Sequence, residues 1–450
     1  MPVDGAHALA MPVDRLVPWP RAGTYGRSCR PRRGFTGMSP PRTCGSCTVT
    51  RMNRQLQHDS VTAVNALTAR WVQTWPGGSV VMAGAGAWPL LAHLASVAEG
   101  QGRKELQEAI GTDAATASQA ARNVLSIMDR STAIRAALGL WSRPDLPLHP
   151  AWITTLPAGM YGELTSDPTA DQYRLDTWTK EQTGGLIPAM PLQLADDVLL
   201  VLAMALTVRT TWLRPFTDGI DLFEVGPWAG SEIHVLRRST HILDRARVAD
   251  TPSGPLMMLR VMGTGGIDVH LVLGDDSMKP GHVLSAGMDV LAARHPTTPA
   301  SFLPAGNPGP GMTVRHVRDH APDDVLNVTV PRFTITSTHD LLKLPEVFGL
   351  ATVTDTSRGN FPGISTEPLA ITQAQQNAVA TFSATGFKSA AITGFAAVAG
   401  MAPPPPHRAR HIDLDFSHPF GFLAVDRRSR LILTAGWVAE PEIPHAESSH

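Results

Sequence analysis

Cys44-Gly45-Ser46-Cys47 is a constellation that could carry chemistry directly, as a redox dithiol or as half of a zinc site. Nothing around it completes either role: there is no second pair, no His at ligand spacing and no strand-helix context, so it reads as a surface accident. The 17 histidines are scattered without a His-Glu-x-x-His helix. No Gly-x-Ser-x-Gly elbow, no phosphate-binding loop ending in Lys and Ser or Thr, and no dinucleotide fingerprint is present. The sequence therefore predicts no metal site, no cofactor and no enzymatic activity. A different chemistry is written in Gly386-Phe387-Lys388-Ser389-Ala390-Ala391-Ile392-Thr393, mostly small residues behind one glycine, followed by chain without charge until Arg408. Small side chains that alternate faces can slip between existing strands as a new central strand, because each displaces little packing and every backbone group finds a partner.

The elements around that segment are legible. Gln373 to Ser383, rich in Ala, Val and Thr, reads as the strand leading into it. Phe422 to Val425 and Leu431 to Val438 read as two buried strands joined by the turn Asp426 to Arg430. Asp59 to Trp75 has helical apolar spacing through Val61, Val64, Leu67 and Trp71; Ser79 to Met82 reads as a short strand and Leu90 to Glu99 as a helix. Residues 1–55 are rich in Pro, Gly and Arg and contain an echo, Met1-Pro2-Val3-Asp4 and Met11-Pro12-Val13-Asp14. They are expected to be a disordered tail, with the fold at 56–443 and a short tail at 444–450. All three cysteines lie in the first tail, so the body is expected to have no disulfide. No signal segment is visible from Met1 or from Met52, which favours a cytoplasmic location, with extracellular as the alternative.

Composition excludes other classes. At 450 residues and 43% hydrophobic the chain can bury a sizeable core, and a net charge of −1 provides no overall basic field for nucleic acid. Val198 to Val208 is too short to be a membrane helix and reads as a buried strand. A loop as long as that after Gly386 inside a compact domain is usually functional.

In order along the chain, several patches resemble the serpin family. They are Arg103-Lys104-Glu105-Leu106-Gln107-Glu108-Ala109-Ile110-Gly111; Leu175-Asp176-Thr177-Trp178 with Thr183-Gly184-Gly185-Leu186-Ile187; Arg209-Thr210-Thr211-Trp212-Leu213-Arg214-Pro215-Phe216; Val330-Pro331-Arg332-Phe333; Asn360-Phe361-Pro362-Gly363-Ile364-Ser365 with Glu367-Pro368-Leu369; and His418-Pro419-Phe420. The resemblance, to a diverged bacterial-type member, implies a single α+β domain with a large central β-sheet, two smaller sheets, eight to nine helices and an exposed reactive loop at 386–411. It implies a suicide-substrate inhibitor of a serine protease, elastase-, subtilisin- or trypsin-like, acting as a monomer without cofactor. The reactive bond is expected at Gly400-Met401, with Arg408-Ala409 as the alternative.

The family pattern is altered in two places. Phe387, Lys388 and Ile392 stand where small residues are usual in the hinge. If Phe387 faces inward, overpacking of about 1–3 kcal/mol would slow insertion and favour plain cleavage, or a non-inhibitory binding role. In the sheet-opening region around Ala83, Gly86, Met204, Trp212, Arg332 and Gln376, a polar cluster is expected to have become largely apolar, with Gln376 standing where the resemblance implies a His. Ala384 replaces the acidic residue that would partner Arg332.

Overall fold

The computed structural model describes residues 45–154, 156, 160–165, 167–195, 198–319, 322–387 and 407–444, without the side chains of 45–54, Asp319 and Phe387. Val49–His450 forms one body, and Met1–Thr48 is a separate unit. Helix α1 (Gly45–Gln73) buries the predicted Val61, Val64, Leu67 and Trp71. It starts well before Asp59, so residues 45–55 are helical rather than part of an irregular tail. The stretch after Thr48 has no Gly or Pro and is rich in straight-chain Arg, Met, Gln and Leu, which favour helix without giving an apolar stripe.

Strand β1 (Val80–Met82) is followed by α2 (Gly84–Val97), α3 (Gly100–Ile110) and α4 (Ala114–Met128). Gly111 in the left-handed region closes α3, and the Asp113 carboxylate accepts from Ala115 N to open α4. Next come β2 (Ile134–Ser142), the short α5 (Pro150–Ile153), β3 (Tyr161–Glu163), α6 (Pro168–Gln182), β4 (Leu200–Val208) and β5 (Thr210–Thr211). The chain then turns mostly to strand: β6 (Thr217–Leu222), β7 (Glu232–Thr240), β8 (Ala246–Thr251), β9 (Gly254–Met262) and β10 (Ile267–Gly274). Helix α7 (Pro280–Leu291) leads to β11 (Thr297–Pro299), β12 (Gly306–Gly309), β13 (Met312–Asp319), β14 (Val325–Pro331) and β15 (Phe333–Asp340). The last elements are α8 (Pro345–Phe348), β16 (Gln375–Phe382), β17 (Gly386–Phe387), β18 (His407–Asp415), β19 (Phe420–Asp426) and β20 (Ile432–Val438).

A seven-stranded sheet runs β1-β20-β19-β10-β9-β8-β11 and a six-stranded sheet β12-β13-β18-β14-β7-β6. β19 and β20 are buried at every position, as their continuous apolar runs require of central strands. Phe333 stacks on Phe382 at 5.4 Å and on Phe422 at 5.1 Å, tying the seven-stranded sheet to β15 and β16. The strands expected to make one large central sheet lie in two groups, β3-β2-β4 and β15-β16.

Two histidines in the core carry a pH consequence. His93 on α2 is 1% exposed and neither ring nitrogen has a hydrogen-bond partner among the described residues; burial, with Arg122 nearby, pushes it down to about 4. Burial pushes His270 on β10 to about 3. Both are neutral in the folded protein, whereas the unfolded chain takes up protons below about pH 6.5, so stability is full above that pH and falls as the pH drops toward 4. His93→Leu should flatten this fall in urea midpoints measured between pH 7 and pH 4.5. An unchanged slope would show that His93 does not titrate with unfolding.

Candidate functional site: a cleft between two half-sheets

β4 pairs on one edge with β2, from Ile134↔Val208 to Ser142↔Leu200, and β16 pairs on one edge with β15, from Phe333↔Phe382 to Asp340↔Gln375. No strand pairing links β4 to β16 among the described residues, and a cavity of about 340 Å³ lies between them. Period-two alternation splits β4. Val201 and Ala203 pack with Leu175, Met190 and Trp178 on the α6 side, whereas Leu200, Leu202, Met204 and Leu206 alternate to the α2 side and are only half-buried, the cavity running along Leu200, Leu202 and Met204. Gly86, Leu90 and Leu94 of α2 line it, as do Met204, Gln376 and residues 368–377; among the described residues no charged side chain does. The described lining of the cleft is thus mostly apolar and uncharged, with Gln193, Gln373, Gln375, Gln376 and Asn377 among its polar groups, and a strand edge without a ladder partner among the described residues lies on each side.

Its two ends are tied. At the foot, Gln193 N donates to Gln373 Oε1 at 3.0 Å and Gln373 Nε2 donates to Gln193 O at 2.6 Å. At the head, Trp212 N donates to Thr385 O at 2.9 Å, Trp212 Nε1 to Ser383 O at 2.9 Å and Phe216 N to Ala384 O at 2.8 Å. Trp212 also packs on Phe382 with ring centroids 4.9 Å apart. The chain then doubles back. Ser383 N donates to Gly386 O at 3.0 Å, and β17 pairs antiparallel with β5 as Gly386↔Thr211 and Phe387↔Thr210. A Cβ on Gly386 would meet the Thr210 carbonyl and lie 2.8 Å from Thr211 Cα, so the position needs glycine for close backbone approach.

The expected loss of polar groups where the sheet parts is not what the structure shows. Gln376 binds the Ala83 peptide twice, Ala83 N donating to Oε1 and Nε2 donating to Ala83 O, both at 3.0 Å. His339 on β15 stands directly opposite Gln376 and its Nε2 lies 2.8 Å from Val81 O; burial outweighs that bond and lowers its pKa, so the ring is the neutral donor. Val81 N donates to Ser337 Oγ at 3.0 Å. The imidazole is supplied from the neighbouring strand, a cross-strand exchange that only the register reveals. Arg332 likewise has a partner: with Ala384 buried, its Nε donates to Glu442 Oε2 at 2.7 Å, and Asp218 lies 4.0 Å away.

Gln376→Leu should cost about 1–3 kcal/mol, since it leaves the buried Ala83 N–H without a partner while Ala83 O keeps the bond from Gly86 N at 2.8 Å. Urea unfolding of parent and variant measures it, and a loss under about 0.5 kcal/mol would show the bonds to be dispensable.

Lys388, Ser389, Ala390, Ala391, Ile392, Thr393, Gly400 and Met401 lie outside the described residues. Arg408 and Ala409, the alternative reactive bond, are in β18. Val317↔Ala409 and Arg318↔Arg408 pair β18 with β13, and Ala409 is 1% exposed. A protease needs an extended, unpaired stretch, so strand pairing removes this bond from the loop. The connecting segment is accordingly 388–406 rather than the expected 386–411. The Cys-x-x-Cys pair also falls outside, Cys44 wholly and Cys47 in its side chain.

A family model described as Serpin (serine protease inhibitor) matches residues 62–220 and 312–441, more than half of the chain. The chain belongs to the serpin family. It is 22% identical over 340 residues, 68% of this chain and 74% of the relative, to the Oryza sativa subsp. japonica sequence named serpin-Z6C. A serpin from the trematode Schistosoma haematobium superposes with a TM-score of 0.61 at 15% identity, covering 85% of this chain and all of that one. Human thyroxine-binding globulin complexed with its ligand gives 0.63 at 15%, covering 86% and 99%. These structural likenesses define the fold.

Proposed function

We propose that the chain inhibits a serine protease by letting residues 389–397 enter the cleft once the loop is cut. The observation that carries this reading is the pairing of β17 with β5 at the cleft head. Gly386↔Thr211 and Phe387↔Thr210 already start a strand antiparallel to the extension of β4. Continued in register, Ser389 meets Val208 and Ala397 meets Leu200, which fills the open edge of β4 from end to end. Residues 389–397 carry no charge, matching a slot with no charged side chain among its described lining residues. The four prolines at 403–406, which could not pair within a central strand, fall beyond the foot of β4.

The chemistry is that of an interrupted acyl transfer. The protease serine attacks the Gly400 carbonyl, the amine of Met401 leaves, and the protease stays esterified to Gly400 until water reaches the ester. Insertion of nine residues moves that ester from head to foot of the cleft, about 30 Å, on a tether of Val398 to Gly400. Inhibition succeeds if this outruns deacylation.

Incubation with elastase-, subtilisin- and trypsin-like proteases is the test. The expected result is an SDS-stable adduct of summed mass with at least one. Cleavage within 388–406 without any adduct would favour a plain substrate or a non-inhibitory serpin-fold binding protein, the role the bulky Phe387 beside the hinge would suit.

A further inference from the structure

At the foot of the cleft, residues 192–194 are gripped from two sides by glutamine side chains that stand in for peptide groups. From α6, Gln172 Nε2 donates to Leu192 O at 3.1 Å and Gln172 Oε1 accepts from Leu194 N at 2.9 Å. From the other side, Gln373, two residues before β16, takes both polar groups of the residue between them, at 3.0 Å to Gln193 N and 2.6 Å to Gln193 O. Bonding that changes sides from one residue to the next is the pattern of a strand between two partners, with a carboxamide here in place of each partner. The segment is therefore a strap that runs from α6 to the lead into β16, just before β4 begins.

Its two ends are held unequally. Toward α6, Leu192 and Leu194 pack against the cluster of Leu175, Met190, Val201 and Ala203, and Met190 N donates to Asp176 Oδ1 at 2.9 Å. Toward β16, the two Gln373 bonds are the only hydrogen bonds among the described residues that tie the strap down. Gln193 is exposed, and the strap is thin: the 340 Å³ cleft lies on one side of it and a pocket of about 360 Å³ beside Gln172 and Tyr173 on the other. Bonds that water can reach are exchanged for bonds to water at little net cost, so the β16 end can let go while the α6 end stays in place. A strand filling the cleft ends at this point. In the register proposed above, residue 397 stands opposite Leu200, and residues 398–400 must then pass the place where Gln193 and Gln373 are joined.

We propose that Gln373 is a positioning residue for loop entry, the releasable end of a strap that keeps the foot of the cleft shut until an incoming strand displaces it. This rests on the loop-entry reading, and the test separates the two. A fluorescent synthetic peptide of residues 389–397, added to the intact chain, reports entry by its anisotropy. It should enter Gln373→Ala about tenfold faster than the parent, because two hydrogen bonds no longer have to break on the way in. Gln373→Glu, which keeps the acceptor for Gln193 N and loses the donor to Gln193 O, should fall between the two. Gln119→Ala, on the exposed face of α4, should match the parent. The strap bonds exist only before entry, so Gln373→Ala should lower the melting temperature of the intact protein and leave that of the form nicked at Gly400-Met401 unchanged. A bond with a merely structural role would lower both. Equal rates of peptide entry in parent and Gln373→Ala, or equal losses of melting temperature in the two forms, would overturn the strap and leave loop entry standing. A peptide that enters neither protein, with nicked and intact parent melting together, would overturn both. If the peptide enters neither but the nick stabilises, the comparison of melting temperatures decides.

Discussion

A single cut between Gly400 and Met401 is expected to raise the melting temperature by about 10 °C. The cut frees residues 389–397 to continue the β17 pairing down β4, where both open strand edges gain partners and the half-buried Leu200, Leu202 and Met204 lose their exposure to the cavity. At roughly 2 cal/mol/K per residue, a body of about 400 residues needs about 0.8 kcal/mol per degree, so the shift corresponds to a net gain of roughly 8 kcal/mol. Limited proteolysis, inactivation of the protease and a thermal scan of nicked and intact protein give the number. A nicked form that melts with the intact one would mean that the slot does not accept the loop.

Phe395→Asp is expected to abolish adduct formation while leaving the rate of cleavage unchanged. In the proposed register residue 395 faces Leu202 on the α2 side of the cleft, where no charged side chain lines the cavity among the described residues. Burying a carboxylate there costs several kcal/mol, and a barrier higher by about 3 kcal/mol would slow insertion by more than a hundredfold. Deacylation then wins, and the loop is consumed as substrate. The readout is the ratio of SDS-stable adduct to cleaved chain, for parent and variant against the same protease. Equal ratios would sink the register even if the parent inhibits.

What the sequence could show was set by how local the signal is. The apolar runs of β19 and β20 and the helical spacing from Val61 to Trp71 are local, and they fold as read. The hinge glycine was legible for the same reason, although its cause, the nearness of the Thr210 and Thr211 backbone, was not. His339 replacing an imidazole expected at Gln376, and Glu442 replacing an acid expected at Ala384, are exchanges between distant segments; each residue looks unremarkable in its own window. Arg408-Ala409 was misleading in the opposite way. An arginine before a small residue after a long loop looks like a trypsin site until β13, contributed from almost a hundred residues earlier, pairs with it.

That pairing also limits how the protein can be used. β18 is held on both edges, by β13 over eight positions from Met312↔Leu414 to Asp319↔His407 and by β14 over five from Val325↔His411 to Thr329↔Asp415. The far end of the loop is therefore anchored, residues 407–410 by one ladder and 411–414 by two, so an uncut chain gains slack for the cleft only by peeling β18 from its neighbours. A cut releases the loop without that cost. Under the proposed function each molecule is then a single-use fuse: it holds its charge until struck, cannot be reset by dilution, and protects in proportion to the number of copies present rather than to the strength with which any one of them binds.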